Sequence, residues 1–135
     1  MLFPGTGVWV TSKPGARRRS FAQALRDAWQ GLRTAWRSEP NLRLHVLFGA
    51  AISLVGVWCR LSPTEWIWLS VAVGLMMVME LVNTAIEGLV DLTVGGQAHP
   101  LARRVKDVAA SSVLVSAMLA VTIASLVFFP HLLSR

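Results

Sequence analysis

Four polar residues stand in a long apolar stretch at positions where chemistry is possible. Glu80, Asn83, Glu87 and Asp91 follow one another at offsets of three, four and four residues. On a helix turning 100° per residue they fall at about 0°, −60°, −20° and +20°, one polar stripe on one face. Three carboxylates on one face repel each other, and each costs several kcal/mol, to order of magnitude, inside a bilayer. Clustered acids of this kind call for a cation, and carboxylates without supporting Cys or His suit a hard ion such as Mg²⁺. Mg²⁺ takes only about one or two protein carboxylates, the rest of its shell coming from water and substrate phosphate oxygens. Further charged groups belong at the same depth: Glu39 ahead of one apolar run, and Lys106 and Asp107 ahead of another. Lys106 is suited to neutralise a phosphate, and Asp107 to bind metal or orient a hydroxyl. Acids, a metal and a lysine at a membrane surface fit phosphoryl transfer, in which catalysis is mostly positioning and charge stabilisation. A carboxylate left over from metal binding can take a proton from a substrate hydroxyl. Two other readings fit the same residues: a polar seam in a non-catalytic helix bundle, and a proton or ion pathway.

The elements that carry these residues follow from composition. The chain has 135 residues, 54% of them hydrophobic, with a formal net charge of +6 and a mean hydropathy of +0.55. A soluble domain of this size buries only about two-thirds of its unfolded surface, too little to hide so much apolar side chain. An apolar chain with basic flanks reads as a small all-α membrane protein. The single Cys59 excludes an internal disulfide, and His45, His99 and His131 have no zinc spacing. Six Trp and no Tyr, several of the Trp beside apolar runs, fit an interfacial aromatic belt.

Residues 1–19 hold Pro4, Gly5, Gly7, Pro14 and Gly15, and read as a flexible basic tail ending in Arg17, Arg18 and Arg19. From the N-cap Ser20, the residues Phe21, Leu25, Ala28, Leu32 and Trp36 recur at helical spacing, with Arg26, Arg33 and Arg37 opposite. This predicts an amphipathic surface helix over 20–38, ended by Glu39–Pro40. Three spans follow, at about 42–59, 66–91 and 108–129, with the first about 27 Å long. A turn is expected over Arg60–Glu65 and a loop over Asp91–Lys106, and Pro130 is expected to close the third span. Of the thirteen Lys and Arg, eleven fall before the first span or between the second and third. The positive-inside rule therefore places the N-terminus and the 91–106 loop in the cytoplasm and the C-terminus outside. The basic excess is an orientation signal, and no nucleic-acid partner is expected. No GxxxxGK[ST] or GxGxxG motif is present, so spacing alone does not specify ATP.

The string Glu80-Leu81-Val82-Asn83-Thr84-Ala85-Ile86-Glu87-Gly88-Leu89-Val90-Asp91 closely resembles the signature of the prokaryotic diacylglycerol kinase and undecaprenol kinase family, E-x-x-N-[ST]-A-I-E-x-x-[VI]-D. The match continues in His99-Pro100-Leu101-Ala102-Arg103 and in Lys106-Asp107-Val108-Ala109-Ala110. It also takes in Ser20-Phe21, Gly31-Leu32, Glu39, Asn41, Arg43 and His45, so that it spans about residues 20 to 130. The resemblance implies a single membrane-embedded domain over 20–135, built as a surface helix plus three transmembrane helices in a homotrimer with shared sites. It implies MgATP-dependent phosphorylation of a lipid alcohol in the bacterial inner membrane, with the active site on the cytoplasmic side. By position, Glu80 is implied as the catalytic base and Glu39 and Glu87 as Mg²⁺ ligands. Lys106, Asp107, Gln97, Ala98 and His99 are implied as nucleotide contacts, with Asn83 and Asp91 supporting the polar site. Two departures stand out: the Asp91–Lys106 interval is one residue longer than usual, around Gly95–Gly96, and Ser20 stands where some members carry Arg. The Asn-Thr-Ala-Ile-Glu and His-Pro-Leu-Ala details look more like the undecaprenol kinase branch.

Overall fold

A computed structural model describes residues 20–133; the tail expected over 1–19 lies outside the described residues. Four helices run in chain order: α1 (Phe21–Ser38), α2 (Pro40–Cys59), α3 (Pro63–Val94) and α4 (Pro100–Leu133). The described residues contain no strand.

Each boundary has a local cause. Ser20 and Gln23 form a reciprocal capping box at the start of α1, which satisfies two otherwise orphaned N–H groups. Glu39, with extended φ −103° and ψ 105°, ends α1 and begins α2, because Pro40 restricts the residue before it and is pre-set for a first helical position. α2 stops where Arg60 enters the left-handed region at φ 56°, and the Leu61 N–H closes back to the Gly56 carbonyl at 3.2 Å. Ser62 and Glu65 form a second capping box for α3. At the far end of α3, Gly95 and Gly96 take φ +59° and +77°, conformations an L side chain rarely adopts, and the chain reverses in a few residues.

Three expectations are corrected here. The loop expected over Asp91–Lys106 is much shorter: α3 continues to Val94 and α4 already begins at Pro100. Charges interrupt the apolar run there but not the helix, which Pro100 opens at a position where a missing N–H is harmless. His99 adds to that start, since its ring Nδ1 accepts from the Leu101 N–H at 3.2 Å. The turn expected over Arg60–Glu65 likewise shrinks, because Pro63–Glu65 form the first turn of α3. Pro130 does not close α4, which runs on to Leu133; the final turn is tied down by a 2.9 Å hydrogen bond between His131 Nε2 and Glu65 Oε1.

α2, α3 and α4 are each long and apolar enough to cross a membrane. α3, with 32 residues, and α4, with 34, exceed the length that about 30 Å of hydrocarbon requires. They pack against each other most extensively, with α2 laid against α3 and α1 touching α2. A core of Leu61, Leu69 and Val127 gathers Trp66, Ile123 and Phe128 at the end where α3 starts. Most other large apolar side chains on the three long helices, among them Leu47, Leu54, Val71, Leu114 and Leu126, are exposed. So are Phe21, Leu25, Trp29, Leu32 and Trp36 of α1, whose one buried residue is Ala35. Apolar surface on this scale suits a lipid environment, where the hydrophobic effect does not drive it inward. The protein is an all-helical membrane protein.

Candidate active site at the loop end of α3 and α4

The polar stripe on α3 grades from buried to exposed. Glu80 is 2% exposed and Asn83 9%, Glu87 is half-buried, and Asp91 is exposed. Glu80 therefore sits deep in the bundle while Asp91 reaches the end that turns into Gly95–Gly96.

Each member has a distinct neighbour. His45 of α2 brings its Nε2 to 3.9 Å from Glu80 Oε2, with the two side chains 15% and 3% exposed. Asn83 donates from Nδ2 to Glu87 Oε1 at 2.9 Å, which fixes the Glu87 carboxylate. The buried Asn83 Oδ1 has no hydrogen-bond partner in the protein. Lys106 of α4 donates to Asp91 Oδ1 at 2.6 Å, joining the two helices at the loop end. That pair and the Glu65–His131 bond set the antiparallel register of α3 and α4. In this register Ser116, buried on α4, stands level with Glu80, since each lies the same number of residues from the Glu65–His131 bond. The hydroxyls of Ser116 and Ser112 are already satisfied by the Val113 and Ala109 carbonyls.

Beside the Lys106–Asp91 pair lies an open cleft of about 540 Å³ lined by Asp91, Gln97, Ala98, His99, Lys106 and Asp107. The structure thus brings together the five residues expected to contact nucleotide, and with them Asp91, expected to support the polar site. Arg103 also lines this cleft and doubles its positive charge. The backbone N–H groups at the start of α4 add to the field, as helix N-termini attract phosphate. Lys106 is held by Asp91 in this arrangement, so a phosphate would compete with that carboxylate for it.

Glu39 does not line this cleft; it is half-buried at the α1–α2 corner. Among the described residues no three or more His, Cys, Asp or Glu are grouped to hold a metal by themselves. The oxygen donors nevertheless fit a hard cation. The Glu87 carboxylate is pre-oriented by Asn83, and the unpartnered Asn83 Oδ1 adds a neutral oxygen beside it. Two residues of the site were not assigned from sequence, His45 and Arg103. The signal for His45 was a titratable group within an apolar run, with no spacing to connect it to α3. The signal for Arg103 was its placement one turn before Lys106.

The chain is similar to proteins of one kind along most of its length. The profile of the prokaryotic diacylglycerol kinase family matches residues 26–128. A diacylglycerol kinase of Synechocystis sp. is 35% identical over 142 aligned positions, covering 97% of this chain and 81% of the relative. An undecaprenol kinase of Bacillus subtilis is 39% identical over 114 positions, covering 84% and 89%. A diacylglycerol kinase of Escherichia coli K12 is 30% identical over 104 positions, covering 77% and 84%. With its signature on α3 and its flanking matches at the loop end, the chain belongs to the prokaryotic diacylglycerol kinase family.

Proposed function

We propose that this protein is a MgATP-dependent lipid kinase that moves the γ-phosphate of ATP to the hydroxyl of a membrane lipid alcohol. The observation that carries the reading is a buried carboxylate, Glu80, on the same helix face as a polar cleft at the helix end that holds Lys106 and Arg103. A lipid hydroxyl reaches Glu80 from the bilayer, and nucleotide phosphates reach the cleft from water. The hydroxyl oxygen bonds to the γ-phosphorus, the bond to the ADP oxygen breaks, and Glu80 takes the hydroxyl proton. Lys106 and Arg103 balance charge on the phosphates, while Asp107, Gln97, Ala98 and His99 shape the nucleotide side. Glu39 and Glu87 would hold Mg²⁺, with Asn83 orienting Glu87 and Asp91 holding Lys106; the bound ion supplies charge neutralisation at the phosphate oxygens.

The chemistry occupies one membrane-embedded domain over 20–135, preceded by the basic segment 1–19. The basic flanks favour a cytoplasmic N-terminus and 95–99 loop, with the C-terminus outside, in the bacterial inner membrane. A homotrimer is in keeping with the apolar faces that the long helices leave exposed. The lipid is undecaprenol or diacylglycerol, giving undecaprenyl phosphate or phosphatidic acid. The Asn-Thr-Ala-Ile-Glu and His-Pro-Leu-Ala details and the 39% identity to an undecaprenol kinase favour undecaprenol.

The test presents both lipids together in mixed micelles with Mg²⁺ and ATP labelled at the γ-phosphate. Label is expected on lipid, and faster on undecaprenol than on diacylglycerol. Folded protein that labels no lipid alcohol overturns the reading, and proton flux without ATP in liposomes would favour an ion pathway instead.

A further inference from the structure

Glu80 faces a problem that its burial creates. In the reaction proposed above it gains a proton at every turnover, yet it is only 2% exposed and cannot hand that proton directly to water. Few groups are available to take it. α1 lines the neighbouring cleft with Ala28, Thr34, Ala35 and Ser38, none titratable. α4 presents Ser112 and Ser116, whose hydroxyls are engaged with their own helix. On α3 itself Asn83 does not titrate, and Glu87 is turned to the Asn83 amide. From α2, His45 approaches to 3.9 Å, the one cation-forming side chain among the described residues within ion-pairing distance of Glu80. Its side chain, at 15% exposed, is more open than that of Glu80 at 3%.

We propose that His45 is a positioning residue that resets Glu80 after each turnover, relaying the proton from Glu80 Oε2 to solvent through its imidazole. The step balances: the Oε2–H bond breaks as an Nε2–H bond forms, leaving a carboxylate and an imidazolium. The imidazolium then gives one proton to water and is neutral for the next cycle. The 3.9 Å separation is too long for a direct hydrogen bond, and a side-chain rotation or one bridging water closes it. The resulting carboxylate–imidazolium pair also offsets the cost of an ion held away from water. The inference rests on the lipid-kinase reading and adds to it where the proton goes.

The test is rapid-quench kinetics of the full chain in lipid micelles with Mg²⁺, ATP and lipid alcohol. Wild type is compared with His45→Ala and with His45→Gln, which keeps polarity and bulk but cannot carry the proton. In both variants the first product per site is expected to form within about threefold of the wild-type rate, after which turnover slows about tenfold or more. kcat/KM for ATP and for lipid is expected to stay within about threefold while KM falls along with kcat, and added imidazole to restore part of the steady-state rate. A steady-state rate within about twofold of wild type in His45→Gln overturns the relay. So does a first turnover slowed as much as the later ones, because the histidine then serves the chemical step or the fold. Wild type that makes no phosphorylated lipid overturns the kinase reading itself, an outcome distinct from both.

Discussion

The two ends of the α3–α4 pair are built from different material. At the end where α3 starts, Leu61, Leu69 and Val127 form an apolar core, and Gly56 lets α2 approach the Trp66 ring. Polar groups there are paired: Ser62 with Glu65, and Glu65 with His131 at 2.9 Å. At the loop end the helices are joined by the exposed Lys106–Asp91 pair over a polar cleft, and Asn83 Oδ1 is buried without a partner. An unsatisfied buried oxygen is a local cost, of order 1–3 kcal/mol, that a purely structural seam would be expected to avoid. The contrast teaches a division of labour. Both ends tie α3 to α4, but only the loop end leaves a buried oxygen without a partner, as the proposed substrate-binding role requires.

Substitutions at the two ends should therefore separate activity from stability. Glu80→Gln has the largest expected effect: a kcat loss of about 10³-fold in phosphate transfer, with the melting temperature in detergent unchanged. A variant that loses activity and fold together would erase the distinction. Gly56→Ala should do the reverse. Its new Cβ would stand 2.9 Å from the Trp66 ring and 3.0 Å from Leu61 Cδ1. Such overpacking costs about 1–3 kcal/mol, read as a lowered melting temperature with near-normal kcat in the surviving protein. Lys106→Ala should raise KM for ATP about tenfold, as expected for a charge-assisted phosphate contact. It should change stability by less than about 1 kcal/mol, because the pair with Asp91 is solvent-exposed. His131→Ala should be mildest, removing the 2.9 Å bond to Glu65 and lowering the melting temperature only slightly, with kcat intact. A large activity loss in His131→Ala would mean that the two ends are coupled rather than separate.

The loop-end stripe was legible in the sequence because helical spacing alone puts Glu80, Asn83, Glu87 and Asp91 on one face. Its gradient of burial was not, since that depends on where α3 leaves its neighbours. The start of α4 was missed because the apolar run marks the part of a helix inside lipid, whereas the helix itself continues through Arg103, Arg104 and Lys106. The Lys106–Asp91 pair needs the α3–α4 register, which the tight Gly95–Gly96 reversal sets. His45 stayed hidden for a similar reason. Its apolar neighbours Leu44, Val46 and Leu47 define a span, and only the packing of α2 on α3 shows which of its turns meets Glu80.

The central claim, that nucleotide is handled at the loop end while the lipid hydroxyl comes from the bilayer, is open to one direct measurement. Sealed vesicles carry the protein in a single orientation, established by protease access to the 95–99 loop, and receive membrane-impermeant ATP with Mg²⁺ on one side only. The account predicts phosphorylated lipid when ATP is on the side of that loop and none when it is on the other. Equal labelling from both sides, or labelling only from the side of the Arg60–Ser62 turn, would contradict it.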